Sequence, residues 1–383
     1  MGVHEAGVAM YDDRRTDDRV AGRAGRPVRA GRAVAALCVM VLAVVAFLGY
    51  EGDLPRWAYD VGRPTATLLG PPLPPMDPAA VAAAVEPELA NINVSIKPAG
   101  TSAAGSGIVL TADGQVLTSH HVVKGAQSIS VGDIGTGGRY AATVLGYDSE
   151  ADIALLSLTN AANLPVARIG SSAALRIGDE VLAIGNAGGT GSPTATPGTV
   201  TALGSSITAR DSADLTSKVL TGMIEVAAPV VSGQSGGALA DRYGAVVGVV
   251  TAATGDLAKA TGRANGYAVP IDTAMRVVRQ IRSGMPTDTV HVGPTATLGV
   301  ITSNAEPAGA RIESAVYGLP AYAAGLSAGE VITAIDGRPV ATVQTLKAVL
   351  NQRKPNDAVH LDLTAADGSQ RTAVVVLVAG PPN

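Results

Sequence analysis

The chain has 383 residues, with 28 Lys and Arg against 32 Asp and Glu, a formal net charge of -4 and a pI near 5.8. That balance excludes the dense positive field by which proteins neutralise nucleic-acid phosphates, so no nucleic-acid partner is expected. The single cysteine, Cys38, excludes an intrachain disulfide, and with aromatics at 3% and 46 glycines the composition suits a β-rich fold with a Val, Leu, Ile and Ala core.

Residues 1–32 read as a cytoplasmic segment carrying Arg14, Arg15, Arg19, Arg23, Arg26, Arg29 and Arg32. They precede AVAALCVMVLAVVAFLGY (33–50), eighteen residues without a charge, near the lower limit for a membrane-spanning helix. The arginine bias predicts a single-pass cell-membrane protein with its N-terminus in the cytoplasm and everything after Tyr50 outside. A cleaved signal peptide is the competing reading. The long preceding region and the lack of an A-x-A site close behind the run favour an anchor. Cys38, inside this run, reads as a small hydrophobe. Residues 51–78 are proline-rich and aperiodic, which predicts a semi-rigid stalk.

From 79 to 284 the chain is a series of short β-like runs, among them SGIVL, QVLTS, QSISV, AATVLGY, IALLSL, EVLAIG, GTVTALG and AVVGVVTAA. Gly/Asp/Ser turns separate them, and TADGQ (Thr111–Gln115) has the signature of a tight hairpin. The section closes on IDTAMRVVRQIRS, where Ile271, Met275, Val278 and Ile281 recur at helical spacing. The predicted class is a β sandwich or barrel with one terminal helix. Residues 285–383 begin in a linker and continue as a smaller α+β unit. Its strands are LGVIT, ARIESAVY and EVITAIDG, its helices lie near Pro320–Ala324 and over TVQTLKAVLNQR, and a hairpin turns at Asp367–Gly368.

The strongest chemical signal is VSGQSGGAL (Val231–Leu239). A serine crowded by glycines lets the backbone turn sharply, so that N–H groups converge beside a hydroxyl as an oxyanion hole requires. A serine nucleophile needs a base, and the base needs an orienting group. The β region holds two histidines, His120 and His121, in TSHHVVKGA, followed by Asp152 at the start of the apolar run IALLSL. Asp148 and Glu150, in the turn before it, read as solvated. Neighbouring residues on a strand point to opposite faces, so the doublet is a poor metal pair and no metal or cofactor is expected. The order His, Asp, Ser is that of chymotrypsin-type proteases.

The motifs GSGIVLTADGQVLTSHHVV, YDSEADIALLSL, GDEVLAIGNAGG, SGQSGGAL with AVVGVVTAA behind it, and NGYAVPI together resemble the HtrA/DegP-type serine proteases. The likeness is greatest to the short-looped, membrane-anchored actinobacterial members, and it runs from about Asn91 to Ala379. It implies a mainly β fold, a double β-barrel chymotrypsin-like domain followed by a small α+β PDZ domain, behind one transmembrane helix. It implies His121 as base, Asp152 as orienting carboxylate and Ser235 as nucleophile, with the N–H groups of Gly233 and Ser235 as oxyanion donors. Thr251, Ala252 and Ala253 would be the strand on which an extended substrate pairs. Gly266, Tyr267 and Ala268 would form a wall of the specificity pocket, and Pro229 its floor. With no carboxylate at that floor, a substrate Lys or Arg would be buried unpaired, so Val, Ala or Leu is expected before the scissile bond. His120 is left as a neighbour packing behind the site.

The resemblance extends to YGLPAYAAGLSAGEVITAIDGRPV (Tyr317–Val340), which matches the PDZ pattern. It implies that the N–H groups of Leu298, Gly299 and Val300 receive a peptide C-terminus, with the peptide added as a strand against the helix over Val343–Arg353. His291, in the linker, and His360 read as exposed or structural. Three positions depart from the family pattern: Gln234 stands where Asn or Asp is usual, Ala238 in place of Pro, and Ala227 in place of Asp. The expected function is an extracytoplasmic endopeptidase acting on unfolded or exposed polypeptides. The alternative is a pseudoprotease that binds through its PDZ domain and cleft without cleaving. A homo-oligomer, a trimer in family members, is possible, although no aromatic residue occurs between Val61 and Arg139 to build its usual contact.

Overall fold

The structure, a computed structural model, describes residue 40 and residues 74–96, 101–210, 217–253 and 265–383. The expected cytoplasmic segment, the apolar run 33–50 apart from Met40, and nearly all of the proline-rich stretch lie outside the described residues. Among the described residues no helix is long and apolar enough to cross a membrane.

Before the first strand lies helix α1 (Pro78–Val85), which the β-strand pattern of the sequence does not announce. Asp77 caps it, its carboxylate accepting from the N–H groups of Ala79 and Ala80, and Pro78 supplies a preset φ in the first turn.

The first barrel comprises β1 (Leu89–Ile96), β2 (Thr101–Val109), β3 (Gln115–Thr118), β4 (Ser128–Asp133), β5 (Arg139–Asp148) and β6 (Ile153–Leu158). They run in the order β5-β4-β1-β2-β3-β6, and pairing of β6 back onto β5 closes the ring. The second barrel closes in the order β10-β11-β12-β9-β8-β7. Its strands are β7 (Glu180–Gly185), β8 (Thr194–Arg210), β9 (Ser217–Val226), β10 (Ala238–Asp241), β11 (Val246–Ala253) and β12 (Gly266–Pro270).

Several of these strands are apolar without alternation, and the packing explains why. In β6, Ala154, Leu156 and Leu158 point into the first barrel, while Ile153 and Leu155 point out of it. In β7, Val181 and Ala183 fill the second barrel, while Leu182 and Ile184 face the same shared layer as Ile153 and Leu155. A strand has two faces, and here both are buried. That shared layer locks the barrels together, so side chains at its rim meet across a fixed gap.

Helix α2 (His120–Val123) is a single turn between β3 and β4, and α3 (Ile271–Arg282) follows β12. The apolar stripe of α3, Ile271, Ala274, Val277, Val278 and Ile281, closes the shared layer. The expected linker after α3 is in fact structured. Within it β13 (Val290–Val292) adds to the edge of β5, with His291 opposite Tyr147 and Val292 opposite Gly146. Gly146 permits this approach, because a Cβ there would lie 2.5 Å from the His291 carbonyl oxygen.

The C-terminal unit contains β14 (Thr295–Thr297), β15 (Val300–Asn304), β16 (Ala310–Ala315), α4 (Pro320–Ala323), β17 (Val331–Ile335), β18 (Arg338–Pro339), α5 (Val343–Leu350), β19 (Ala358–Thr364), β20 (Gln370–Val376) and β21 (Val378–Gly380). The sheet order is β15-β16-β17-β19-β20, with β14 paired to β21. Ile312, Ile332, Leu346, Val349 and Leu361 form its separate core.

Candidate active site

The histidine doublet opens α2 and does not lie on a strand, contrary to the expectation from alternation. Successive residues on a helix are about 100° apart, so the two rings still part company. His120 is buried, stacked on Tyr147 with ring centroids 4.7 Å apart, and Tyr147 in turn packs 5.1 Å from His291. Burial drives the His120 pKa down to about 3, so the ring is neutral at physiological pH. His121 faces the cleft with a side chain 36% exposed.

Ser119 makes no side-chain cap on α2, and Asp152 takes its place. Its carbonyl accepts from the His120 N–H at 3.1 Å and its Oδ1 from the His121 N–H at 3.0 Å. Its Oδ2 meets His121 Nδ1 at 2.8 Å and also accepts from the Thr251 hydroxyl. Asp152 can serve α2 with both carbonyl and carboxylate because it sits in the left-handed region, at φ 57°, which aspartate tolerates better than most residues. Burial alone would raise its carboxyl. The His121 charge and hydrogen bond, with the Thr251 hydroxyl, outweigh burial and hold it well below the usual carboxylate range.

The turn leading into Asp152 is shaped by Asp148, whose Oδ1 accepts from the N–H groups of Glu150 and Ala151. Asp148 is therefore buried, not solvated as its place in a turn suggested. Its neighbour Glu150 is exposed and accepts from the Gln344 amide on α5.

Ser235 lies in the same cleft as His121. Its hydroxyl donates to the Thr251 carbonyl at 3.3 Å rather than to the imidazole. Among the described residues the N–H groups of Gly233 and Ser235 have no hydrogen-bond acceptor, so both are available to a ligand. Gly233, at φ 92°, admits no side chain, since a Cβ would lie 2.1 Å from the Asn186 carbonyl oxygen. Gln234 is fully buried. Its Oε1 accepts from the Val231 N–H at 3.0 Å, and its Nε2 donates to Thr194 O and Thr196 Oγ1, each at 3.1 Å. The departure from the family pattern is thus a brace between the serine loop and β8. Ala238 is buried at the start of β10, and nothing in the structure gives the exposed Ala227 a role.

Pro229 is exposed and does not line the cleft. Val230 does, buried at 3% exposure against Gly266, where a Cβ would lie 2.4 Å from its Cγ2. The turn carries the side chain of Pro229 outward and that of Val230 toward the cleft. Gly266 and Ala268 are buried on the inner face of β12, and Tyr267 is partly exposed in the cleft. Thr251, Ala252 and Ala253 lie on β11, where β10 pairs no further than Val249. Their only partner strand among the described residues is β12.

Two domain families match the chain. One, described as a trypsin-like peptidase domain, covers residues 105–249, and the other, a PDZ domain, covers residues 296–376. The serine protease PepD of Mycobacterium tuberculosis is 32% identical over 82% of this chain and 70% of its own length. The chain belongs to the HtrA/DegP-type serine proteases. In Escherichia coli, the periplasmic serine endoprotease DegP is 33% identical over 70% of this chain, and the periplasmic pH-dependent serine endoprotease DegQ 32% identical over 68%. The chain spans 55% and 56% of those two relatives. The protein is a serine endopeptidase with a PDZ domain, and its fold is mainly β.

In this HtrA-type protease, Leu298, Gly299 and Val300 line the same cleft as His121 and Ser235. Gly299 has φ 85°, and the N–H groups of Leu298 and Gly299 have no acceptor among the described residues. The PDZ domain also touches the histidine side of the protease directly. His291, buried rather than exposed, lies with Nδ1 2.9 Å from the carbonyl oxygen of Asn351, at the end of α5, and Nε2 3.0 Å from that of Gly293. Pro382 accepts from the Gly125 N–H at 2.8 Å, and the Tyr147 hydroxyl donates to Asn383 Oδ1 at 3.1 Å. His360 is exposed on β19. No pattern in the sequence marks the side-chain bond of Thr251, the brace of Gln234 or the burial of His291, because each depends on a partner at least 38 positions away.

Proposed function

We propose that the protease cleaves peptide bonds with Ser235 as nucleophile, His121 as general base and acid, and Asp152 as the group that orients the imidazole. The observation that carries this reading is the double engagement of His121 by Asp152, through backbone N–H and Nδ1, in the cleft that holds Ser235. With Nδ1–H donated to Asp152, the proton accepted during attack goes to Nε2, and Asp152 stabilises the imidazolium that forms. The N–H groups of Gly233 and Ser235 receive the charge that develops on the substrate carbonyl oxygen. The hydroxyl reaches the base by turning away from the Thr251 carbonyl, so the arrangement is a resting one.

An extended chain adds along Thr251–Ala253 of β11, and its side chain before the scissile bond meets Val230 and Tyr267, with Gly266 packed behind Val230. Those apolar walls favour Val, Ala or Leu and disfavour a buried Lys or Arg. The PDZ domain takes a peptide C-terminus at Leu298, Gly299 and Val300. The natural substrates under this reading are unfolded or exposed polypeptides. The arginine-rich segment before the uncharged run 33–50 supports an anchored protein whose two domains lie outside the cell membrane.

Labelling with a fluorophosphonate probe tests the catalytic reading. The wild-type chain is expected to be labelled and Ser235→Ala not. An unlabelled wild type, with or without a C-terminal peptide on the PDZ domain, would favour a binding protein that does not cleave.

A further inference from the structure

Each N–H direction in the serine loop is set by the carbonyl across its own peptide bond, because a trans peptide points the two groups opposite ways. The carbonyls from residue 232 to 235 are each held by a donor. Ser232 O accepts from the Gly188 N–H at 2.8 Å and Gln234 O from the Gly237 N–H at 2.9 Å. The other two belong to the Gly233–Gln234 peptide, between the two oxyanion donors, and the Ser235–Gly236 peptide after them. Both are held by one residue of the first barrel, Ser106 on β2. Its N–H donates to Ser235 O at 2.8 Å, and its hydroxyl donates to Gly233 O at 2.8 Å. Of the four donors, the Ser106 hydroxyl is the one that belongs to a side chain.

The direction of that hydroxyl is not free. Ser106 Oγ accepts from the Asn186 N–H at 2.7 Å, so its own proton is left for Gly233 O, and the relay runs Asn186 to Ser106 to Gly233 in a buried setting. The Ser106 carbonyl is fixed in turn by the Thr118 hydroxyl at 2.7 Å, two residues before His120. Gly185 leaves room for the hydroxyl, since a Cβ there would lie 2.7 Å from Ser106 Oγ.

Resting on the assignment of Ser235 as nucleophile, we propose that Ser106 is a positioning residue for the oxyanion hole: its hydroxyl pins the Gly233–Gln234 peptide that joins the two oxyanion donors, and so ties the serine loop of the second barrel to the first. It touches no substrate. Its contribution appears when charge develops on the substrate oxygen, and not when the ground state binds.

The test measures steady-state hydrolysis of an internally quenched peptide with valine before the scissile bond. Ser106→Ala is expected to lower kcat about tenfold to a hundredfold while KM stays within about twofold. Ser106→Thr, which keeps the hydroxyl, is expected to recover most of the loss. Ser106→Cys, which fills the space with a weak donor, is expected to behave like Ser106→Ala and covers the case in which the alanine variant fails to fold. In a Ser235→Ala background, Ser106→Cys is expected to bind the same peptide as tightly as Ser235→Ala alone. Wild-type kcat in both Ser106→Ala and Ser106→Cys overturns the proposal. So does a loss that threonine does not recover, or one that appears in KM and peptide affinity. Failure of the underlying assignment shows elsewhere, as a wild-type chain that neither cleaves the peptide nor takes the fluorophosphonate at Ser235.

Discussion

Thr251 and Asp152 share a hydrogen bond across the two barrels: the Thr251 hydroxyl donates to the carboxylate oxygen that also meets His121 Nδ1. The same threonine accepts the Ser235 hydroxyl on its carbonyl. One residue of β11 therefore governs both the carboxylate and the resting position of the serine. Removing the hydroxyl leaves Asp152 buried with one donor fewer.

Thr251→Val is accordingly expected to lower kcat about tenfold with little change in fold, and Thr251→Ser to stay near wild type. Hydrolysis of the valine peptide by the two variants, with thermal midpoints as control, checks this.

The two histidines are expected to separate cleanly. His121→Ala should abolish fluorophosphonate labelling. His120→Phe should keep it, because His120 acts by packing on Tyr147.

His120 also makes stability depend on pH. Its pKa is about 3 when folded against 6.5 as a free side chain, so between those values the unfolded chain binds the extra proton. Its neutral burial is fully tolerated above pH 6.5 and becomes costly as the pH falls towards 3, by about 2 kcal/mol between pH 6.5 and pH 5. Denaturant titrations over that range should show a shallower loss in His120→Phe than in wild type.

Asp152 has the opposite character. Its folded pKa is depressed, so its stabilising bonds are complete above the ordinary aspartate value of 3.8 and are lost only as the pH falls through the lower folded value. Acid inactivation above pH 4 is therefore not expected to arise from protonation of Asp152. Asp152→Asn should lower kcat by about four orders of magnitude at neutral pH, because the amide favours the wrong imidazole tautomer.

Gln234→Asn restores a residue usual in the family at the cost of reach. The shorter amide is expected to lose its bonds to Thr194 and Thr196, lowering stability by about 1–3 kcal/mol. A lower urea midpoint with an unchanged m value would bear this out.

The sequence by itself determined the β class, because short apolar runs between Gly and Asp turns leave few other solutions, and its motifs placed His121, Asp152 and Ser235 in order along the chain. Periodicity also found α3, whose buried stripe is local to twelve residues. Only the tertiary structure decided what depends on distant partners. A one-turn helix looks like the end of a strand until Asp152 is seen to cap it. The linker becomes β13 because Gly146, on β5, leaves room for His291. Pro229 and Val230 differ in which way a turn carries them, and no count from Ser235 reveals that. Ser106 opens the β-like run SGIVL, and its position in the chain does not show that its hydroxyl holds Gly233, 127 positions away. Backbone preference acts between neighbours and can be read along the chain, whereas these contacts exist only once two closed barrels have met.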